Sequence, residues 1–166
     1  DLAIDCRHRP ANVEAAEAAI KAAVEGAGNK YVSTDAQTSA QKQAADIEGL
    51  ISQKVDVILV VAYDSDAILP SIQAINDAGI KAIAYDVQFE DPNALYITFD
   101  NVGVGRIIAK EVSAVKPEGN YAIIKGAPGD NNAAFWREGQ GEVLADAIKK
   151  GDVKIVGEEF TSGWNP

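Results

Sequence analysis

Apolar residues fall along this chain in two alternating rhythms. Short runs such as 2–4, 31–32, 57–62, 80–85, 95–99, 121–125 and 153–160 have the length and β-branched content of strands. The run 57–62 shows no polar alternation, as expected of a strand covered on both faces. Between the runs the spacing shifts to three or four. Val13, Ala16, Ile20 and Val24 share one face over 11–25, ending at Gly26-Ala27-Gly28, and Ala40, Ala44, Ile47, Leu50 and Ile51 share another over 37–53. Further helices are predicted from Ser65, as cap, through Asp77 with Gly79 as the stop, over 103–115, and over 131–149. Such alternation specifies an α/β architecture of parallel sheets with right-handed crossovers.

In sheets of this kind ligands bind beyond the carboxyl ends of the strands. The loops at those ends, at 5–12, 34–38, 63–66, 86–91, 100–101, 127–132 and 161–165, hold a large share of the Asp, Asn and Arg residues. Trp164, one of two tryptophans, lies in the last of them.

Composition narrows the partners. With 166 residues and 47% apolar content the chain can bury a core, and a formal charge of −10 disfavours nucleic acid and anionic membrane surfaces. No apolar run approaches the ~20 residues of a membrane span. The single cysteine excludes an internal disulfide.

Most reactive motifs fail on inspection. Asn101-Val-Gly103-Val-Gly105 lacks the third glycine of a dinucleotide loop and reads better as a helix start. Gly129 is followed by Asp130-Asn131, so no phosphate loop is present. Cys6 and His8 make too small a set for zinc, and no metal or other cofactor is expected. Asp64 and Asp66 read as helix-capping residues.

The run Asp130-Asn131-Asn132 is different. One residue suffices to cap a helix; here three follow Pro-Gly and precede Phe135-Trp136. A carboxylate beside carboxamides supplies both acceptors and donors, which suits a neutral polyhydroxylated ligand. No nucleophile or general base accompanies them, so the stretch reads as a site that holds rather than reacts, and no enzyme activity is expected.

The phrases AYD (84–86), YITFDNVGVGRIIAKEV (96–112), GNYAIIKGAPGDNNAAFWREGQ (119–140) and VKIVGEEFTSGWNP (153–166) resemble the D-xylose-binding periplasmic proteins, of the sugar-binding class that includes ribose and galactose binders. The similarity runs nearly end to end. It implies a class I periplasmic binding protein fold: two Rossmann-like lobes of parallel sheet flanked by helices, closing on one sugar. Residues 1–100 correspond to the first lobe without its later strands, 101–103 to a hinge, and 104–166 to the beginning of a second lobe within which the chain is truncated.

Carried onto this sequence, the resemblance makes Asp130 and Asn132 hydrogen-bonding partners of sugar hydroxyls and Trp164 a platform for the sugar ring. Asp86 belongs to the matching Tyr-Asp. Val87 stands where the family has an arginine, and Ala11-Asn12 where it has Arg-Trp; Arg7, Arg9 and Asn12 are the nearest replacements. These departures leave the sugar open between xylose and a relative. The implied role is delivery of the sugar to the membrane permease of an ABC transporter, by a protein without membrane insertion. The implied location is the periplasm, after loss of a signal peptide, or the outer surface with a lipid anchor in a Gram-positive cell. The alternative use of the fold is a ligand-sensing domain in a sugar-responsive sensor or transcriptional regulator.

Overall fold

The computed structural model describes residues 1–6 and 11–164, with the side chains of residues 6 and 11–13 outside the description. The elements are β1 (Leu2–Cys6), α1 (Ala11–Gly26), β2 (Tyr31–Asp35), α2 (Ala40–Ser52), β3 (Val57–Val61), α3 (Leu69–Asp77), β4 (Lys81–Tyr85), β5 (Leu95–Ile97), α4 (Asn101–Val115), β6 (Gly119–Lys125), α5 (Asn131–Lys150) and β7 (Val153–Phe160). They form two compact units, Asp1–Ile97 and Thr98–Pro166. Residues 101–103, the expected hinge, are the first turn of α4, and the units part between Ile97 and Thr98.

The first unit is a parallel five-stranded sheet in the order β2-β1-β3-β4-β5. β1 pairs with β2 on one side and β3 on the other, Asp5 lying level with Thr34 and Val60. The strand order reverses there, the usual position of a ligand site in such sheets. Alternate residues feed two apolar layers. Ala3, Ile58, Val60, Ala82 and Ala84 pack with Ile47 and Leu50 of α2 and Ile72 and Ile75 of α3. Ile4, Leu59 and Val61 pack on the other side with Ile20 of α1. This explains the unbroken apolar run of β3: both of its faces are covered.

Local chemistry sets the helix starts. Ser39 caps α2 by accepting from the Lys42 N–H at 3.1 Å. Ser65 does not cap α3. The Asp64 carboxylate accepts from the Asp66 and Ala67 N–H groups at 3.0 and 2.8 Å, holding a turn, and the helix begins only at Leu69, with Pro70 in its first turn. Asp100 accepts from Gly103 N–H at 2.8 Å, so α4 starts two residues before the predicted position.

In the second unit β6 and β7 pair in parallel, with a register shift at Tyr121/Ala122. β6 alternates between half-buried and exposed positions, and Ile124 is 78% exposed. Helices α4 and α5 pack with backbones almost in contact. A Cβ on Gly105 would stand 2.1 Å from the Trp136 carbonyl oxygen, and one on Gly139 2.0 Å from that of Val102. The glycine pattern at 103–105 thus serves both the helix start and this close approach. It brings the first turns of α4 and α5 together.

Candidate functional site

The strand-to-helix turn after β6 ends at Asp130, which is buried and caps α5: its Oδ1 accepts from the Asn132 N–H at 3.0 Å. The other carboxylate oxygen, Oδ2, accepts from the Trp164 indole Nε1 at 3.0 Å. Trp164 follows β7, whose loop is tied to the β6 turn by Thr161, donating through its N–H and its hydroxyl to the Lys125 carbonyl, both at 3.1 Å. The indole lies against Gly126, where a Cβ would stand 2.2 Å from the ring. It meets Trp136 edge-on, with centroids 5.3 Å apart. It is 37% exposed, so part of the ring faces outward.

Asn132, buried in the first turn of α5, accepts through Oδ1 from Asn101 Nδ2 at 3.0 Å. Asn101, the first residue of α4, accepts from Trp136 Nε1 at 2.8 Å and donates to Thr98 Oγ1 at 3.2 Å. The second unit therefore brings Asp130, Asn132 and Trp164 into one hydrogen-bonded cluster, braced by Asn101 and Trp136. A carboxylate, carboxamides and an aromatic surface at the ends of β6 and β7 can hold hydroxyls and C–H surface.

The other predicted residues lie elsewhere. Asp86 belongs to the first unit, just beyond β4. Its φ is 66°, and the Val87 N–H donates to the Tyr85 carbonyl at 2.8 Å across it, closing a three-residue turn. Asp86 and Trp164 both hold the left-handed conformation uncommon for such residues; strain of this kind collects at functional positions. Val87, at the position of the family's arginine, is fully buried in the core of the first unit. Arg7 and Arg9 lie outside the described residues. Asn12 is in the first turn of α1, with its side chain outside the description.

Pattern reading passed over Asp5. It is the last residue but one of β1, at the reversal of strand order, fully buried, and its Oδ1 accepts from the Thr34 hydroxyl at 2.8 Å. Its other oxygen has no hydrogen-bond partner among the described residues. Burial pushes its pKa from 3.8 up to about 6, with Asp46 acting in the same direction and Thr34, Gln43 and Lys42 opposing it. A charged residue inside an otherwise apolar strand was the available signal.

Among the described residues no group of three His, Cys, Asp or Glu side chains is placed to hold a metal ion, and no helix is long and apolar enough to cross a membrane. A cavity of about 200 Å³ beside the tryptophans is lined mainly by apolar groups, including Ile108, Ile123 and Ile124. Asp130 and Asn132 do not line it, so it is not the polar site.

The periplasmic binding protein domain family matches residues 11–166. The chain belongs to that family. It is 35% identical over 143 residues to the D-xylose-binding periplasmic protein of Escherichia coli K12, covering 86% of this chain and 43% of the relative. The protein of the same name from Haemophilus influenzae is 36% identical over 141 residues, covering 84% and 42%. The chain thus spans less than half the length of these relatives. Among solved structures, a carbohydrate transporter solute-binding protein of Chloroflexus aurantiacus in complex with D-glucose matches with a TM-score of 0.80 and 27% identity, over 93% of this chain and 47% of that one. An ABC transporter solute-binding protein of Burkholderia graminis in complex with D-arabinose matches with a TM-score of 0.85 and 26% identity, over 96% and 55%. The resemblance read from the motifs and the α/β class with parallel sheets are both borne out.

Proposed function

We propose that this chain is part of a solute-binding protein that captures a monosaccharide, xylose or a close relative, and passes it to the permease of an ABC transporter. One observation carries the reading: Asp130 and Asn132 are held at the start of α5 beside the partly exposed Trp164. An acceptor, a carboxamide and an apolar ring meet the three demands of a sugar, whose hydroxyls donate and accept while its ring faces are largely C–H. The names of the relatives support the same class of ligand. Their location supports a periplasmic protein, and the one carboxylate of the cluster, Asp130, is engaged in holding the Asn132 N–H and the Trp164 indole. The two compact units fit the role of lobes, with the chain between Ile97 and Asn101 as the crossing.

The buried Val87 removes one family contact and favours a ligand whose recognition differs from that of D-xylose in the relatives. Calorimetry of the intact protein against pentoses, hexoses and polyols tests the reading. Saturable binding of one or a few sugars is expected. Absence of binding to any neutral sugar or polyol overturns it.

A further inference from the structure

Gln43 is fully buried in α2, and both ends of its carboxamide hold the chain where it leaves β3. Its Nε2 donates to the Val61 carbonyl at 3.0 Å, and its Oε1 accepts from the Tyr63 N–H at 2.9 Å. A carbonyl only accepts and a backbone N–H only donates, so these partners fix which end of the amide faces which. The side chain thus stands in for a neighbouring strand just past the end of β3. Its NH2 group carries a second hydrogen.

Asp5 lies beside it. On β1 it is level with Val60, and Gln43 acts with Thr34 to lower the pKa that burial raises. The Thr34 hydroxyl occupies Oδ1, and Oδ2 has no hydrogen-bond partner among the described residues. A buried neutral carboxyl tolerates such an unpaired oxygen far better than a buried carboxylate does. The two protonation states therefore make different demands on Gln43. Protonated, Asp5 leaves the carboxamide to Val61 and Tyr63. Ionised, it requires a donor at Oδ2. The Gln43 NH2 is bonded to Val61 and not to Oδ2, so serving the carboxylate draws the amide away from β3.

We infer that Gln43 is a latch on the chain leaving β3, and that ionisation of Asp5 releases it. Among the described residues the charged groups acting on Asp5 are Lys42 and Asp46, both on α2 and paired with each other at 2.5 Å. Thr34 on β2 and Val60 on β3, level with Asp5, carry no charge. Burial thus governs the carboxyl and sets its pKa at about 6. The loop released, 62–66, lies beside the reversal of strand order, so its order becomes dependent on pH. No ligand is involved, and the device holds whether or not the chain binds a sugar.

NMR of the intact protein from about pH 5 to about pH 7.5 tests the latch. In the parent the Tyr63 backbone N–H and the Gln43 side-chain NH2 are expected to titrate together, with a midpoint of about 6. Hydrogen-exchange protection of the Tyr63 N–H, corrected for the intrinsic effect of pH, is expected to fall about tenfold across the range. Asp5→Asn keeps an acceptor for Thr34 and cannot ionise, so both signals are expected to stay fixed. Histidine ionises in the same range, and His8, outside the described residues, is retained in this variant; a titration it causes would persist there. Persistence in Asp5→Asn, or signals that stay fixed in the parent, overturn the inference. Gln43→Met fills similar space without hydrogen bonds. Tyr63 protection should then be low at every pH, and protection that still falls through the range overturns the inference. If a variant fails to fold, the parent decides: a Tyr63 N–H that titrates while the Gln43 NH2 stays fixed overturns it as well.

Discussion

Trp164 and Asp130, 34 residues apart in sequence, are joined by an indole N–H donated to Oδ2 at 3.0 Å. The tryptophan is thus both a partly exposed ring and a partner of the buried carboxylate. Trp164→Ala removes both functions and is expected to weaken sugar binding by at least about tenfold. Trp164→Phe keeps an apolar ring but takes a donor from a carboxylate, a hydrogen bond worth roughly 1.5–3 kcal/mol. It should retain more affinity than the alanine variant while losing stability. Calorimetry and urea unfolding of both variants check this. An alanine variant that binds normally and only loses stability would make Trp164 a core residue.

The close packing of α4 on α5 gives a prediction independent of any ligand. Gly105→Ala drives a methyl into the Trp136 carbonyl, and Gly139→Ala drives one into that of Val102. Both neighbours are helix backbone, so relief requires the helices to separate, at a cost of about 1–3 kcal/mol each or more. Gly49 in α2 is the control, because a Cβ there meets nothing within 4 Å. Gly49→Ala should stabilise by roughly 0.5–1 kcal/mol. Urea unfolding midpoints should fall for the first two variants and rise for the third.

The unequal legibility of the sequence has physical causes. β3 was readable because burial on both faces leaves a continuous apolar run, and α5 because Asp130 and Gly151, with φ 86° at its end, are strong boundary residues. The start of α3 was misread because Ser65 suits a cap, whereas Asp64 and Pro70 set the local backbone. Asp130, Asn132 and Trp164 stood out as polar and aromatic residues in loops at strand ends. Their braces did not: Asn101 looked like part of a crossing, and Trp136 like an ordinary apolar neighbour. Only the tertiary approach of α4 to α5 makes them one network, and pairing across 35 residues leaves no periodic trace.

Salt is a test of ligand charge. Screening weakens interactions between charges and leaves hydroxyl contacts nearly untouched. For a neutral sugar, affinity should change by less than about threefold between about 20 and 200 mM salt. Titrations at several ionic strengths check this. A loss of an order of magnitude or more would indicate a charged ligand and direct attention to Arg7 and Arg9.

Asp5 gives the first unit a pH dependence whose sign follows from its burial. Its pKa is about 6 in the folded protein against 3.8 for an ordinary Asp, so between these values the folded state holds a proton that the unfolded state has released. Stability then falls as pH rises through this window. The contribution is complete below about 4 and is lost above about 6, a difference on the order of 3 kcal/mol. Asp5→Asn keeps the shape and an acceptor for the Thr34 hydroxyl but cannot ionise. The variant should gain stability over the parent as pH rises from about 4 to 6, and the gain should level off above that. Urea unfolding of both proteins across this range isolates the contribution of Asp5 from those of other carboxylates, since Asp46 and Lys42 are common to both. Parallel pH profiles would show that Asp5 is already ionised at acid pH, and that its unpaired oxygen is solvated or bound by a group outside the described residues.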